Sequence, residues 1–578
     1  MFILNNTQFN ENHTTETLGL SEEVSPSTAE GVVGYLRTFF KKIRTNFSIM
    51  SERSLFSALL ENLYIRSLSS KTRVASVFLL SFSIVSLIIS YALNESFSRF
   101  ISDIDTFSSL VLIIVSTILF TTNRTFHELI NSSKLLGCLS IVYSEQSIIL
   151  SKGRKTTVEY PYSTPFFLGI ICGIFTVVYP VSVICSFIVS LICVLLVVNR
   201  PECGMLIVIS FLPFLSRPLL LTFACIIFLS LVYRYLLGKR HINFDVSSLL
   251  MLISVIYISA RCFMVDGDVI SRRLYIYTVF FVSCFSAINL IRTTAMFRRT
   301  IQVLVRMMRF FAVILVIYYL CNIFFGTNTV NAYLSLLNIP TLTASLTTAS
   351  FVAPFLVMAV PVNFAYMIGG SGSLKNAVYF ILLFACLVYV SSYAAVLICI
   401  LSCVVILAIY NKRFLFLAIP APLAAFALIS VFNAVPPEYR LSATAQRASD
   451  FEYAKNIIKL NPFFGSGPEI TDFSGNILLN ILMTFGIAGL LLLFGVLLTL
   501  ILKSARSVFT KAHNSRFLSV GLLCASISFI ALCAFTDINC DMNTIYLFSV
   551  IISAYASSAG CFEADYIDKT MVREYNNK

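Results

Sequence analysis

A series of long apolar spans between residues 74 and 561 constrains this chain more than any other feature. A helix needs about 20 mostly apolar residues to cross the hydrocarbon core of a bilayer. Sixteen candidate spans lie at 74–93, 106–121, 166–182, 184–199, 203–216, 218–237, 246–263, 274–291, 301–325, 347–368, 376–391, 394–410, 414–432, 476–502, 517–535 and 544–561. The pattern predicts an all-α, polytopic membrane bundle of about 14–16 transmembrane helices. Two pairs, 166–199 and 376–410, read either as one long helix each or as tight hairpins, which Pro180 and Ser391-Ser392 favour.

The composition excludes other classes of protein. Hydrophobic residues make up 58% of the chain and charged residues only 12%, and the mean hydropathy is +0.88. Soluble domains are about 45–50% apolar and about 25% charged. A soluble globular protein, a disordered chain and a nucleic-acid binder are therefore excluded. The cysteines fall mostly inside apolar runs without a C-x-x-C pair, so we expect core residues, no metal and no cofactor.

The net charge of +13 fits either an anionic partner or the excess of basic residues on the cytoplasmic side of membrane proteins. Basic residues recur in alternate loops, as at 152–155, 234–240, 292–299 and 503–511, while the loops between them carry few. This alternation predicts a multi-pass membrane protein with both termini in the cytoplasm. No Asp, Glu or Lys lies in the middle of a span, which argues against an ion-coupled carrier.

Six arginines fall in loops that this topology places outside: Arg217, Arg261, Arg272, Arg273, Arg440 and Arg447. Basic residues on the translocated side oppose the insertion preference and therefore need another reason to be there. Long loops follow the preference weakly, and Arg272-Arg273 reads equally well as an anchor at the lipid head groups.

The same pattern divides the chain into six segments. They are a cytoplasmic, partly disordered tail (1–73), two helices and a cytoplasmic loop (74–165), the main bundle (166–432), a long periplasmic loop (433–475), the C-terminal helices (476–561) and a cytoplasmic tail (562–578).

The long loop contains one predicted helix, over 443–460, which we expect to lie on the membrane surface. Phe451, Ala454 and Ile458 recur at helical spacing with Ile457 beside them, and Asn461-Pro462 ends the pattern. Arg447 and Asp450 share a face of this helix, so a local ion pair on a solvated face is an alternative to a functional role.

A glycine-rich turn and two asparagines follow the predicted helix. Gly465 and Gly467 lie within Asn461-Pro-Phe-Phe-Gly-Ser-Gly-Pro-Glu469, a rigid turn whose backbone NH groups we expect to face an anion. Asn476 and Asn480 are one helical turn apart where the next span begins, so they are expected to form the polar floor of a site.

The ordered string Arg447…Ala454…Ile458…Asn461-Pro462-x-x-Gly465-x-Gly467…Asn476…Gly486-Ile-x-Gly489 resembles the signature region of the O-antigen ligase/polymerase superfamily. The resemblance covers about 45 residues closely and implies a bacterial inner-membrane enzyme that acts on undecaprenyl-pyrophosphate-linked glycans. Two positions depart from the family pattern. Gly475 stands where the family has a histidine, and Ser392-Tyr393-Ala394-Ala395 lacks the arginine of many relatives.

The missing histidine favours the polymerase branch, which joins lipid-linked repeat units into a surface polysaccharide. The alternatives are a ligase that transfers finished glycan to an acceptor, and a flippase or transporter for a lipid-linked solute. The resemblance implies a lipid-linked donor and acceptor, membrane lipids, a chain-length regulator and a flippase as partners, and no nucleic acid.

A pyrophosphate leaving group needs cationic partners, and an attacking hydroxyl needs a base. We expect Arg447 and Arg440 to stabilise the leaving group without a metal. Glu469 is the first candidate for the base, and Asp472, Glu438 and Asp450 are the alternatives. The remaining candidates would bind substrate; they are Arg217, Arg261, Arg272, Arg273, Asn461, Gly465, Gly467, Asn476 and Asn480.

Overall fold

In the computed structural model the described residues are 70–93, 104–122, 162–236, 242, 244–263, 270–326, 330, 349–369, 374–390, 393–431, 445–467, 477–510, 513–535 and 541–558. Within these ranges the chain forms helices and no strand. The predicted all-helical class is therefore confirmed.

Four helices form an N-terminal group: α1 (Thr72–Leu93), α2 (Ile104–Thr121), α3 (Ser163–Ile174) and α4 (Val181–Asn199). Hydroxyl groups join α1 to α2. The Oγ of Ser86 lies 3.0 Å from that of Ser109, and the Oγ of Ser90 lies 2.8 Å from the Oγ1 of Thr106. Small polar residues let helices approach closely where lipid supplies no hydrophobic drive between them. This group has its own small core of Phe82, Val181 and Ile184.

The main bundle contains the remaining large helices. They are α5 (Pro201–Phe211), α6 (Arg217–Leu236), α7 (Val246–Phe263), α8 (Ile270–Leu290), α9 (Thr294–Phe325), α10 (Ala349–Gly369), α11 (Leu374–Val390), α12 (Tyr393–Tyr410), α13 (Ala421–Val431), α14 (Ala445–Leu460), α15 (Ile477–Thr510), α16 (His513–Phe535) and α17 (542–558). Large apolar side chains fill this bundle, with Phe311 and Phe355 packed edge to face at 4.8 Å between ring centroids. Helix α10 lies at its centre, buried over most of its length and packed against α16, α11 and α12.

Each of the sixteen predicted spans coincides with a helix or with a helix and a 3-10 turn. Both ambiguous pairs are two separate helices, with the first pair divided at Pro180. The span predicted at 414–432 is instead a 3-10 helix (Lys412–Ala418) followed by the short α13, because Pro420 and Pro422 interrupt a continuous helix.

Six of the described helices are long and apolar enough to cross a membrane: Thr72–Leu93, Arg217–Leu236, Met296–Phe325, Phe351–Gly369, Ile477–Ala505 and Arg516–Ala534. Eight shorter apolar helices accompany them. The chain is therefore a helical membrane protein, and the finer prediction of 14–16 crossings stays a prediction.

Candidate functional site

The candidate site is centred on a break in α15. Gly486 has φ 67° and ψ −169°, which interrupts the helix in its third turn. A break leaves carbonyl and NH groups without their helical partners, and each such group costs free energy in apolar surroundings. The surroundings of Gly486 therefore have to supply replacement hydrogen bonds.

The turn that follows α14 supplies four of these bonds through its backbone. The NH groups of Ser466 and Gly467 donate to the carbonyl oxygens of Met483 and Thr484 at 2.8 and 3.1 Å. In the other direction, the NH groups of Ile487 and Ala488 donate to Pro462 and Phe463 at 3.0 and 3.1 Å. The turn and the broken helix thus satisfy one another.

Two glycines make this close contact possible. Gly465 has φ 71°, and a Cβ there would lie 2.5 Å from the carbonyl carbon and oxygen of Thr484. A Cβ on Gly486 would overlap the carbonyl oxygen of Phe463. Both the positive φ and the contact of backbone with backbone therefore require glycine.

The hydrogen bonds of the turn also correct one prediction. The NH of Gly465 donates to the carbonyl of Asn461 at 3.0 Å, and the NH groups of Ser466 and Gly467 donate to α15. These three NH groups are all occupied by protein carbonyls. The prediction that they are open to an anion is wrong, and the turn instead links α14 to α15 through backbone hydrogen bonds.

Two side chains near the end of α7 form further hydrogen bonds to the turn and to the broken helix. The hydroxyl of Tyr257 donates to the carbonyl of Phe485 at 2.8 Å, which satisfies a further group at the break. One helical turn later, Nη2 of Arg261 donates to the carbonyl of Gly465 at 2.7 Å. Residues four apart on a helix share a face, so both side chains reach the turn together.

The guanidinium of Arg261 keeps spare hydrogen-bonding capacity. Its Nε is buried and has no hydrogen-bond partner among the described residues, and within them no carboxylate forms an ion pair with it. A carbonyl is a neutral acceptor, so the positive charge of Arg261 is not cancelled there. The arginine is thus fixed in place by the turn while it remains a cation.

A small cavity of about 10 Å³ adjoins the break. It is lined by Ser254, Tyr257, Tyr277, Phe485 and Gly489, among others, and Tyr277 packs edge to face on Phe485 at 5.0 Å between centroids. This volume has room for about one water molecule. A glycan or pyrophosphate is therefore excluded from this cavity.

The predicted loop helix is present as α14, which packs on the first part of α15. Ala454 and Met483 are buried against each other, with Ile457 and Ile458 beside them. Phe451, which the spacing placed on the same face, is instead 57% exposed. The buried stripe is therefore narrower than predicted.

Arg217 takes part in an ion pair that the sequence analysis did not foresee. Its Nε lies 2.8 Å from Oδ1 of Asp541, next to the start of α17. The side-chain amide of Asn543 donates to the carbonyls of Leu212 and Leu215, which fixes the same junction. Arg217 is thus neutralised in part by a carboxylate, unlike Arg261.

The structure describes only some of the other predicted site residues. Asn461 is exposed after α14, and the carbonyl of Asn480 accepts a hydrogen bond from the hydroxyl of Thr484 at 2.7 Å. Three arginines lie on helices with side chains outside the described part of the structure: Arg447 on α14, and Arg272 and Arg273 on α8. Five further candidates lie outside the described residues: Glu438, Arg440, Glu469, Asp472 and Asn476.

The structure therefore brings together Arg261, Gly465 and Gly467, and adds Tyr257 and Gly486 to them. Tyr257 lies four residues before Arg261, and this spacing was the signal for its position on the same face. Fold and site define an all-helical membrane protein with an arginine-anchored turn packed on a broken helix. Comparisons with family models and with curated proteins find no match to this chain.

Proposed function

We propose that this chain is a polysaccharide polymerase of the bacterial inner membrane. It joins undecaprenyl-pyrophosphate-linked repeat units at the outer face, and both termini lie in the cytoplasm. The donor is the growing lipid-linked glycan, and the acceptor is a new lipid-linked unit. A flippase would deliver the units, and a chain-length regulator would set the product length.

One observation carries this proposal: Arg261 is bonded to Gly465, inside the motif that resembles the ligase/polymerase superfamily. Among six arginines predicted to lie outside, Arg261 is the one whose side chain is described in contact with that motif. A cation held beside the turn can bind a negatively charged ligand, and a pyrophosphate group carries at least two negative charges.

The proposed reaction is a glycosyl transfer. A hydroxyl oxygen of the acceptor sugar attacks the anomeric carbon of the donor, and the bond from that carbon to the pyrophosphate oxygen breaks. The proton of the hydroxyl passes to a carboxylate, with Glu469 as first candidate and Asp472 as second. The polyprenyl pyrophosphate leaves with the bonding electron pair.

Arginines would stabilise the charge that develops on the leaving pyrophosphate. The planar guanidinium donates in pairs to phosphate oxygens and stays protonated at any working pH. Arg261 supplies a fixed donor in this proposal. Arg447 and Arg440 supply further donors from the same loop in this proposal.

The rigid frame supports such a role because a transition state gains most from donors that are already in position. Backbone bonds tie the turn to α15, and Tyr257 and Arg261 tie α7 to both. Three segments far apart in the sequence therefore hold Arg261 with little freedom to move.

The test is the surface polysaccharide of cells that depend on this chain. Arg447→Ala is expected to leave single repeat units in place of long chains, and Arg298→Ala, an exposed arginine at the start of α9, is the matched control. Long chains that stay on the carrier lipid would indicate a ligase. Absence of lipid-linked glycan from the outer face would indicate a flippase. Unchanged chain length in Arg447→Ala would contradict the assignment of Arg447.

A further inference from the structure

A long stretch of this chain carries positive charge and no acidic residue. From 269 to 437 there is no Asp or Glu, whereas Lys and Arg recur throughout: Arg272, Arg273, Arg292, Arg298, Arg299, Arg306, Arg309, Lys375, Lys412 and Arg413. Helices α9 to α13 all lie in this stretch. Helices α9 to α13 therefore carry basic residues and no carboxylate.

Arg309 of α9 is a half-buried cation whose side-chain partners belong to two neighbouring helices. Its Nε donates to Oδ1 of Asn363 on α10 at 2.9 Å, and its Nη1 donates to Oδ1 of Asn376 on α11 at 3.0 Å. The rings of Tyr366 and Tyr379 lie 5.3 and 5.1 Å from its guanidinium carbon. Three helices therefore meet at one side chain, and we call these five residues the Arg309 slot.

The slot is built in advance of any ligand. Asn363 is fully buried, and its own amide nitrogen donates to the carbonyl of Ala359 at 3.0 Å. This bond orients the Oδ1 toward Arg309. Asn376 is also buried, so neither amide is free to turn away.

Among the described residues no carboxylate pairs with Arg309, and the two tyrosine rings stabilise its charge only in part. Both hydrogen-bond acceptors are neutral amides, and Nη2 is buried without a hydrogen-bond partner among the described residues. A buried donor without a partner is unfavourable for stability, and more so when the group is charged. An anion that reaches Nη2 would recover this cost and neutralise the cation.

The position of the slot indicates where such an anion comes from. Asn376 is the third residue of α11, and Arg309 lies inside the apolar helix Met296–Phe325. Arg309 itself is far from either end of α9, but Arg298, Arg299 and Arg306 precede it and no charged residue follows it on that helix. This charge pattern favours the depth where lipid head groups meet the hydrocarbon. Tyrosine is typical of this depth, and the basic loops predict the cytoplasmic leaflet, which is rich in anionic lipid.

We propose that the Arg309 slot binds the phosphate group of an anionic phospholipid. The phosphate oxygens accept from the guanidinium, the two tyrosine rings flank it, and the acyl chains lie along α9 and α11. Free phosphate carries the same chemistry, but it is strongly hydrated and has no apolar part to favour this depth. This inference is independent of the proposed polymerase activity.

Native mass spectrometry of the purified full chain tests the proposal. The protein is exchanged into a mixture of phosphatidylglycerol and phosphatidylcholine, and the lipids retained after detergent removal are counted. Wild type is expected to retain one phosphatidylglycerol with about a tenfold preference, because a charged hydrogen bond of this kind contributes on the order of one factor of ten or more. Absence of any preference in wild type would overturn the proposal without reference to a variant.

Variants locate the site. Arg309→Gln is expected to lose the retained lipid, whereas Arg298→Gln, the same change at an exposed position of the same helix, is expected to keep it. If Arg309→Gln does not yield a monodisperse protein, Arg309→Lys takes its place and is expected to lose most of the preference, because an ammonium lacks the planar fork. Equal loss in Arg298→Gln and Arg309→Gln would indicate diffuse surface charge and overturn the slot.

Inorganic phosphate forms the last arm of the experiment. Millimolar phosphate is expected to leave the retained phosphatidylglycerol in place. Release of the lipid by phosphate, or thermal stabilisation by phosphate alone that Arg309→Gln abolishes, would mean that the slot takes a soluble phosphate and would overturn the lipid assignment.

Discussion

Two arginines predicted to face the same side of the membrane have different partners. Arg217, the first residue of α6, pairs with Asp541 at 2.8 Å. Arg261, near the end of α7, donates to the carbonyl of Gly465 at 2.7 Å and pairs with no carboxylate among the described residues. The charge of Arg217 is neutralised in part by a carboxylate, whereas Arg261 is held in place by a neutral carbonyl. The partner of an arginine, more than its place in the topology, therefore determines whether the arginine can attract an anion.

The largest expected effect comes from the removal of the Arg261 side chain. In the proposed reaction Arg261→Ala loses a donor to the developing pyrophosphate charge, so the rate of chain extension should fall by about 10²–10³-fold. The measurement is glycan chain length over time with lipid-linked repeat units in proteoliposomes. Arg298→Ala, at an exposed site on α9, should keep the wild-type rate. If Arg261→Ala lowers the rate of chain extension by less than about threefold, the proposed difference in function between Arg261 and Arg217 is contradicted.

Gly486→Ala tests whether the broken helix holds Arg261 in position. The positive φ alone should cost about 1–3 kcal/mol, and the new Cβ would also overlap the carbonyl of Phe463. We expect a clear drop in the melting temperature in detergent, together with slower chain extension. Gly495→Ala, on the same helix, is the matched control. The nearest atom to a Cβ there is 3.7 Å away, so stability should stay equal or rise slightly. Equal melting temperatures in the two variants would contradict the close fit described at Gly486.

A smaller effect is expected for Tyr257→Phe. This change removes the hydroxyl that donates to the carbonyl of Phe485 and leaves the ring in place. The loss of one hydrogen bond should cost about 1 kcal/mol of stability. The melting temperature is the measurement, and Tyr275→Phe, at an exposed position on α8, serves as the control. A loss as large as that of Gly486→Ala would mean that the hydroxyl, rather than the backbone bonds, holds the turn.

The smallest effect is expected at Arg217. The ion pair with Asp541 is partly exposed to solvent, so a double-mutant cycle of Arg217→Ala and Asp541→Ala should give a coupling of about 0.2–1 kcal/mol. Because Asp541 already compensates its charge, Arg217→Ala should slow chain extension far less than Arg261→Ala does. A rate loss at Arg217 that equals the loss at Arg261 would show that carboxylate pairing does not separate the two arginines.

Much of the fold could be predicted from the sequence, because span length and apolar composition act locally. Each predicted span contains a helix, and Pro180 divides one of the ambiguous pairs as its chemistry requires. The positive φ of Gly465 and Gly467 also agrees with a turn at this place. The local sequence pattern was therefore sufficient to predict most of the helices.

The site was harder to predict because its contacts join residues that lie far apart. Arg261 meets Gly465 across 204 residues, and Arg217 meets Asp541 across 324. Nothing in the loop sequence indicated that the NH groups of the turn would donate to carbonyl groups beside the break at Gly486. Arg309 was not predicted as a buried charge, because only Asp, Glu and Lys were considered in the middle of the spans.

The most direct test of the account is chain extension by the purified protein alone. Proteoliposomes that contain the chain are supplied with a single repeat unit on undecaprenyl pyrophosphate, and the products are separated by length. A polymerase is expected to give a ladder of glycans that remain linked to the lipid, with release of one undecaprenyl pyrophosphate for each bond formed. Single units that cross the bilayer unchanged, or that move only to an acceptor without the lipid, would contradict the proposed polymerase.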